Sequence, residues 1–173
     1  MKRLIEFGFL ACAAASAAAH QGPHQSLSVM ERSAGLRSGE YVWELQAASA
    51  GPVSLVIDLE AQRALVYRNG VPIAASTVST GREGRETPTG EFTILQKEVV
   101  HRSRTYDDAT MPYMQRLTWK GVSMHAGHVP GYPSSHGCIR LPQGFAKLLY
   151  CVTRLSTTVI IIDRLSSAAS DPP

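Results

Sequence analysis

The chain has 173 residues, 44% of them hydrophobic and 18% charged, with 14 glycines, 10 prolines and a formal charge of +3. That suffices for one loop-rich globular domain with a proper core and leaves no room for two large ones. The charge is mild, and no lysine-rich run or aromatic platform accompanies the arginines, so nucleic acid is not the expected partner.

The first residues combine a positive start, Lys2 and Arg3, with an alanine-heavy apolar run from Phe7 to Ala19. This run is too short to span a bilayer, and Ala17-Ala18-Ala19 suits a signal peptidase, so residues 1–19 read as a secretory leader. Glu6 is an awkward member of such a segment. Cys12 raises the question of a lipid anchor, but the residues before it fit a lipidation site poorly. Cleavage after Ala19 leaves a mature chain with no transmembrane segment and two cysteines, Cys138 and Cys151.

Residues 20–52 mix Ser, Gly, Gln and Ala without a sustained period and read as a linker or loosely docked extension, with a short strand near Val42-Trp43-Glu44-Leu45. From residue 53 to 164 the pattern is that of a folded domain. Val53–Asp58 and Arg63–Arg68 read as strands. Asn69-Gly70 supplies the positive-φ pair of a tight hairpin, and Val71–Thr77 returns as the partner strand. Further strands are expected at Glu91–Val100, Arg116–Lys120 and Val122–His125. In Gln143–Arg154, Phe145, Leu148, Leu149 and Val152 recur at helical spacing. Cys151 within that helix reads as a small core residue, which argues against a disulfide to Cys138. A β-branched strand, Thr157–Asp163, closes the domain, and residues 165–173 read as a frayed polar tail. Many strands with one main helix imply a mostly-β sandwich or barrel. Arg63, Arg68, Arg82, Arg85, Arg102 and Arg104 make the middle of the chain locally basic. Their plain reading is a solvated surface, and their sharper one is attraction of a carboxylate-rich polymer.

Chemistry concentrates in Ser134-Ser135-His136-Gly137-Cys138-Ile139-Arg140. A structural cysteine usually sits among aliphatic neighbours, whereas Cys138 lies between His136 and Arg140 in a polar, glycine-containing stretch. The thiolate is the nucleophilic form, and cations or an adjacent imidazole favour it. His125, at the end of a short strand, can be delivered beside Cys138 by the Gly- and Pro-rich loop 126–135, where it would take the thiol proton and return it to a leaving amine. Gly137 allows a tight turn before the nucleophile, and the amides of Gly137 and Cys138 are candidates for an oxyanion site. Arg140 has two readings, a clamp on a substrate carboxylate or a brace for the loop. His128 and His136 read as polar loop residues. Zinc is the competing chemistry, since His125, His128, His136 and Cys138 offer ligand atoms, but no HExxH or CxxC pre-orients them.

Met124-His125-Ala126-Gly127 followed by Ser135-His136-Gly137-Cys138-Ile139-Arg140 resembles the L,D-transpeptidase catalytic domain of the YkuD family. Ser79-Thr80-Gly81 leading to Thr87-Pro88-Thr89-Gly90-Glu91-Phe92 strengthens the likeness, which spans roughly Val53 to Asp163. The resemblance implies a β-sandwich-like fold with Cys138 as nucleophile. It makes His125 the base, its ring oriented by the following backbone carbonyl, and His136 a secondary candidate near the thiol. Ser135, Gly137 and Arg140 would shape the pocket. The chain departs from many members in placing Ala126 before Gly127, where they have glycine directly after the histidine.

By the family's chemistry, a Cys thioester forms with a peptidoglycan stem tetrapeptide, D-alanine leaves, and an amine resolves the thioester. No metal or organic cofactor is needed. The implied partners are stem peptides and a wall-anchored protein acceptor, and the implied location is the periplasm or cell envelope. Two alternatives remain on sequence: an L,D-carboxypeptidase with water as acceptor, and a non-catalytic wall-binding module.

Overall fold

The computed structural model describes residues 28–44, 46, 50–103 and 108–164. The expected leader, Cys12, Arg104 and the polar tail lie outside the described residues. Two sheets and one main helix make up the domain, which is mostly β and sandwich-like. The larger sheet has six strands. β2 (Val53–Asp58), β3 (Arg63–Arg68) and β4 (Val71–Thr77) form an antiparallel meander. Asn69 and Gly70 close its second hairpin with φ of 50° and 77°, the backbone that the Asn-Gly pair favours. β10 (Thr158–Ile162) joins this meander parallel to β2, and β5 (Gly90–Thr93) adds antiparallel to β10.

Alternation decides which side chain goes where. Leu55, Ile57, Ala64, Val66 and Ala74 fall on one face, in the main core with Phe145 and Leu149 of α2 (Gln143–Val152). Val56, Leu65 and Ala75 fall on the other face, under Val29 and Leu36. With both faces covered, these strands read as near-continuous apolar runs.

Residues 28–44 are part of this assembly, so of the two readings of 20–52 these residues fit a docked extension and not a linker. Helix α1 (Val29–Ala34) starts at a capping box in which Ser28 and Glu31 exchange hydrogen bonds, and Val29 packs on the sheet. β1 (Tyr41–Trp43) then pairs antiparallel with β4 at the sheet edge. Trp43 meets the Phe145 ring edge-on at 5.4 Å and Tyr41 meets it at 5.7 Å.

The smaller sheet runs β6 (Gln96–Arg102), β7 (Thr110–Arg116), β8 (Ser123–Ala126) and β9 (Ile139–Leu141). The strand expected at Glu91–Val100 is two strands in different sheets. The chain crosses at Ile94 and Leu95, whose amides donate to Thr157 in the larger sheet and to Arg116 in the smaller. Arg116 ends β7, and residues 117–121 form the turn into β8 instead of a strand. Lys97 fastens this sheet to α2, its ammonium donating to the Tyr150 and Thr153 carbonyls at 2.6 Å each. A cation there also complements the negative end of the helix dipole.

Cys151 is exposed rather than a core residue. Phe145, Ala146 and Leu149 form the buried face of α2. At about 100° per residue, position 151 lies on the far side from them. Among the described residues, no helix is long and apolar enough to cross a membrane.

Candidate active site

The polar stretch around Cys138 is held by residues from two upstream segments. Ser79 exchanges backbone hydrogen bonds with Arg140, the Ser134 and Ser135 amides both donate to the Thr80 carbonyl, and the Arg82 amide donates to Ser135. Gly81 must be glycine, because a Cβ there would meet the Arg85 carbonyl at 2.0 Å and the Thr87 amide at 2.7 Å. Its amide donates to the Thr87 hydroxyl, which in turn donates to the Gly137 carbonyl at 3.0 Å. The two upstream strings therefore act as clamps on the cysteine loop. Within the loop, the Ser135 hydroxyl donates to the Cys138 carbonyl and accepts from the Gly137 amide at 3.1 Å. Gly137 itself has φ +109°, a conformation that a side chain would strain.

One expectation is corrected here. The Gly137 amide is engaged by Ser135, so it does not point at a developing oxyanion as the sequence suggested. The Ser123 amide approaches the sulfur instead and favours its thiolate.

Strand pairing sets His125 beside the end of the cysteine loop. β8 and β9 run parallel, with Met124 opposite Ile139 and His125 opposite Arg140. Paired and alternate residues share a face, so Met124, Ala126, Ile139 and Leu141 enter the core while Ser123, His125 and Arg140 face the other way. Cys138 lies in the bend just before β9. Its thiol is half-buried and donates weakly to the Gly121 carbonyl at 3.5 Å. The His125 ring is buried, and its Nδ1 lies 2.9 Å from the Ala126 carbonyl. A carbonyl only accepts, so Nδ1 carries the hydrogen and Nε2 keeps a lone pair. Ala126 does this through its backbone while its methyl group sits in the core, which is why alanine fits before Gly127. At Gly127 a Cβ would press on the Arg140 stem at 3.2 Å.

Electrostatics modifies the picture of a preformed thiolate. Burial pushes the Cys138 thiol above its ordinary range, against the opposing pull of the Ser123 amide and the charges of Arg140 and Arg116. Burial likewise holds His125 below the ordinary imidazole value, with Arg140 and His101 adding to the effect and the Ala126 carbonyl opposing it. Both directions favour the uncharged forms, a thiol and a neutral imidazole, the protonation states that general-base activation requires.

Cys138 opens into a cleft of about 700 Å³. Gln96, Glu98, His101, Arg116 and Trp119 form much of its wall, and His136 and Gly137 flank the sulfur. His136 is exposed; slight desolvation and the cations Arg82, Arg85 and Arg140 hold it below its ordinary value. Of the two readings of Arg140, the geometry favours the brace: its guanidinium donates to Ser134 at 3.1 Å, and it is not part of the cleft wall. His128 is exposed on the loop after Gly127. Among the described residues, no three His, Cys, Asp or Glu side chains converge as metal ligands. The polar wall from Gln96 to His101 escaped the sequence reading. Its signal, Gln-x-Glu in a strand, is ordinary for any exposed edge.

The sequence profile of the L,D-transpeptidase catalytic domain matches residues 52–161. Among solved structures, an L,D-transpeptidase from Stackebrandtia nassauensis aligns at 28% identity with a TM-score of 0.60, covering 71% of this chain and 60% of that one. One from Mycobacterium smegmatis aligns at 28% identity and TM-score 0.58, over 64% of this chain and 58% of that one. L,D-transpeptidase 1 of Mycobacterium tuberculosis aligns at 30% identity and TM-score 0.55, over 64% and 61%. The alignment thus spans about three fifths of the length of these relatives. No match was found among curated proteins. With a profile covering most of the chain and a fold shared with these enzymes, the protein belongs to the L,D-transpeptidase catalytic-domain family.

Proposed function

We propose that the protein is an exported peptidoglycan L,D-transpeptidase in which Cys138 is the nucleophile and His125 the general base. The observation that carries this reading is a half-buried thiol that opens into a cleft just before β9, next to β8 with its buried imidazole, whose tautomer the Ala126 carbonyl fixes. His125 Nε2 takes the thiol proton as sulfur attacks the carbonyl of the third stem residue. The C–N bond to the terminal D-alanine then breaks, and His125 returns the proton to the departing amine, leaving a Cys138 thioester. An amine from a second stem, or from a wall-anchored protein, attacks that thioester, and sulfur leaves with its proton restored. Ser135 and Thr87 hold the loop that carries the sulfur, Gly137 gives it its turn, and Arg140 braces it from below. Export follows from a substrate that lies outside the cytoplasm and agrees with the leader-like residues 1–19.

The test is product analysis. Purified protein incubated with a disaccharide-tetrapeptide should release D-alanine and yield a cross-linked dimer. Tripeptide alone would make it a carboxypeptidase, and unchanged tetrapeptide with no covalent adduct to a carbapenem would leave a wall-binding module.

A further inference from the structure

The cleft carries a second histidine that the thioester chemistry above does not use. On β6, Lys97 points to α2 while its neighbours Gln96 and Glu98 face the cleft. Arg116 Nε donates to Gln96 Oε1 at 2.7 Å, the Gln96 amide donates to Glu98 Oε1, and His101 Nδ1 lies 2.6 Å from Glu98 Oε2. An ionised carboxylate only accepts, so His101 carries a hydrogen on Nδ1, and in the neutral ring Nε2 is the nitrogen with an accepting lone pair. The chain Arg116–Gln96–Glu98–His101 thus sets both the orientation and the tautomer of a ring in the same cleft wall as the nucleophile.

The wall is also uneven in sign. Arg102, Arg116 and Lys120 line the cleft, whereas Glu98 is the one carboxylate among its described lining residues. A donor peptide bearing carboxylates has several cations to meet. An incoming ammonium has one anion.

We propose that Glu98 and His101 form the acceptor-amine subsite, which binds a primary alkylammonium and removes its first proton. The inference rests on the transpeptidase reading and identifies the acceptor class. An alkylammonium must lose two protons to become an amide nitrogen. The first passes to His101 Nε2, and the adjacent Glu98 carboxylate balances the imidazolium before the proton escapes to solvent. The free amine then attacks the thioester carbonyl; the C–N bond forms, the C–S bond breaks, and the second proton goes by way of His125 to the Cys138 sulfur. Two protons therefore have two separate imidazole acceptors.

The experiment separates a charged from an uncharged acceptor. Wild type, Glu98→Gln and His101→Gln are each acylated with the disaccharide-tetrapeptide. The thioester is then resolved by Nα-acetyl-lysine amide, a charged ammonium, or by hydroxylamine, which is uncharged near neutral pH. The variants should lose on the order of tenfold or more in lysine transfer, as expected for removing a positioned proton acceptor. Resolution by hydroxylamine and the rate of covalent reaction with a carbapenem should stay within about twofold of wild type, the latter showing that fold and nucleophile are intact. Equal losses with both acceptors, or no loss with either, overturn the subsite. A parallel fall in carbapenem reaction also overturns it, placing the pair on the donor side. Wild type that forms no acyl-enzyme sinks the transpeptidase reading itself, a distinct result.

Discussion

The two sheets obey the same alternation and put it to opposite uses. In β2, β3, β4 and β10, Leu55, Ile57, Val66, Ile73, Val159 and Ile161 are buried almost completely, and the sheet is covered on both faces. In β8 all four residues are buried, yet only Met124 and Ala126 contribute to the core. Ser123 and His125 are buried outside that core, and Ser123 lines the cleft. Burial there serves electrostatics: it keeps the imidazole neutral and the thiol protonated, at a desolvation cost that the larger sheet's apolar packing offsets. The larger sheet therefore supplies stability and the smaller one carries the candidate site, and they meet through Ile94–Leu95, the clamps on the cysteine loop and α2, which Lys97 fastens to the smaller sheet.

The sharpest way to break that division is at the two free thiols. Cys138→Ser should abolish covalent capture of a carbapenem while the melting temperature stays close to wild type, because the side chain lies at the cleft and not in the core. Cys151→Ser should leave both unchanged, since the thiol is exposed on the outer side of α2. Mass spectrometry of the adduct reads the first and thermal unfolding the second. Equal loss of capture in both variants would sink the assignment of Cys138.

A smaller effect, of the opposite kind, is expected at Phe145. Its ring is fully buried and touches Tyr41 and Trp43, so it ties α2 to the N-terminal edge strand. Phe145→Ala should cost about 3–5 kcal/mol of unfolding free energy, measured by denaturant titration. The folded fraction should still acylate at nearly the wild-type rate. A rate that falls as far as the stability would show that the two sheets do not divide their roles.

What was legible in the sequence follows the same division. The meander β2–β4 and the closing strand were readable because a sheet covered on both faces writes itself as aliphatic runs, and Asn69-Gly70 marks the turn. The cysteine loop was readable because its residue types are rare in combination. The smaller sheet was legible only in part, in β8 and the first half of β6. β7 reads Thr-Met-Pro-Tyr-Met-Gln-Arg, with a proline that is tolerated only because its pairing to β8 is confined to Gln115 and Arg116. β9 is three residues long and is held by Ser79 and Met124's strand, contacts made across the chain. The short strand expected near Val42-Trp43 is β1, whereas helix α1 was missed, although the Ser28-x-x-Glu31 capping box was a local sign of it. Which amide donates to which acceptor, as at Gly137, depends on distances that no spacing rule encodes.

The finest expected effect concerns how His125 is kept neutral. It must be unprotonated to accept the thiol proton, so acylation should rise with pH through its folded pKa and be lost as pH falls below it. Since the folded value is depressed, the acidic limb of the acylation rate should have its midpoint below the ordinary imidazole value of about 6.5. Burial is the largest cause, with the charges of Arg140 and His101 behind it. Raising ionic strength from about 0.01 to about 1 M shortens the Debye length from about 30 to about 3 Å and screens exposed charges, but leaves desolvation in place. The limb should therefore move upward only slightly with salt. A limb that shifts to the free imidazole value in high salt would mean that charge, and not the packing of β8 against the core, sets the base.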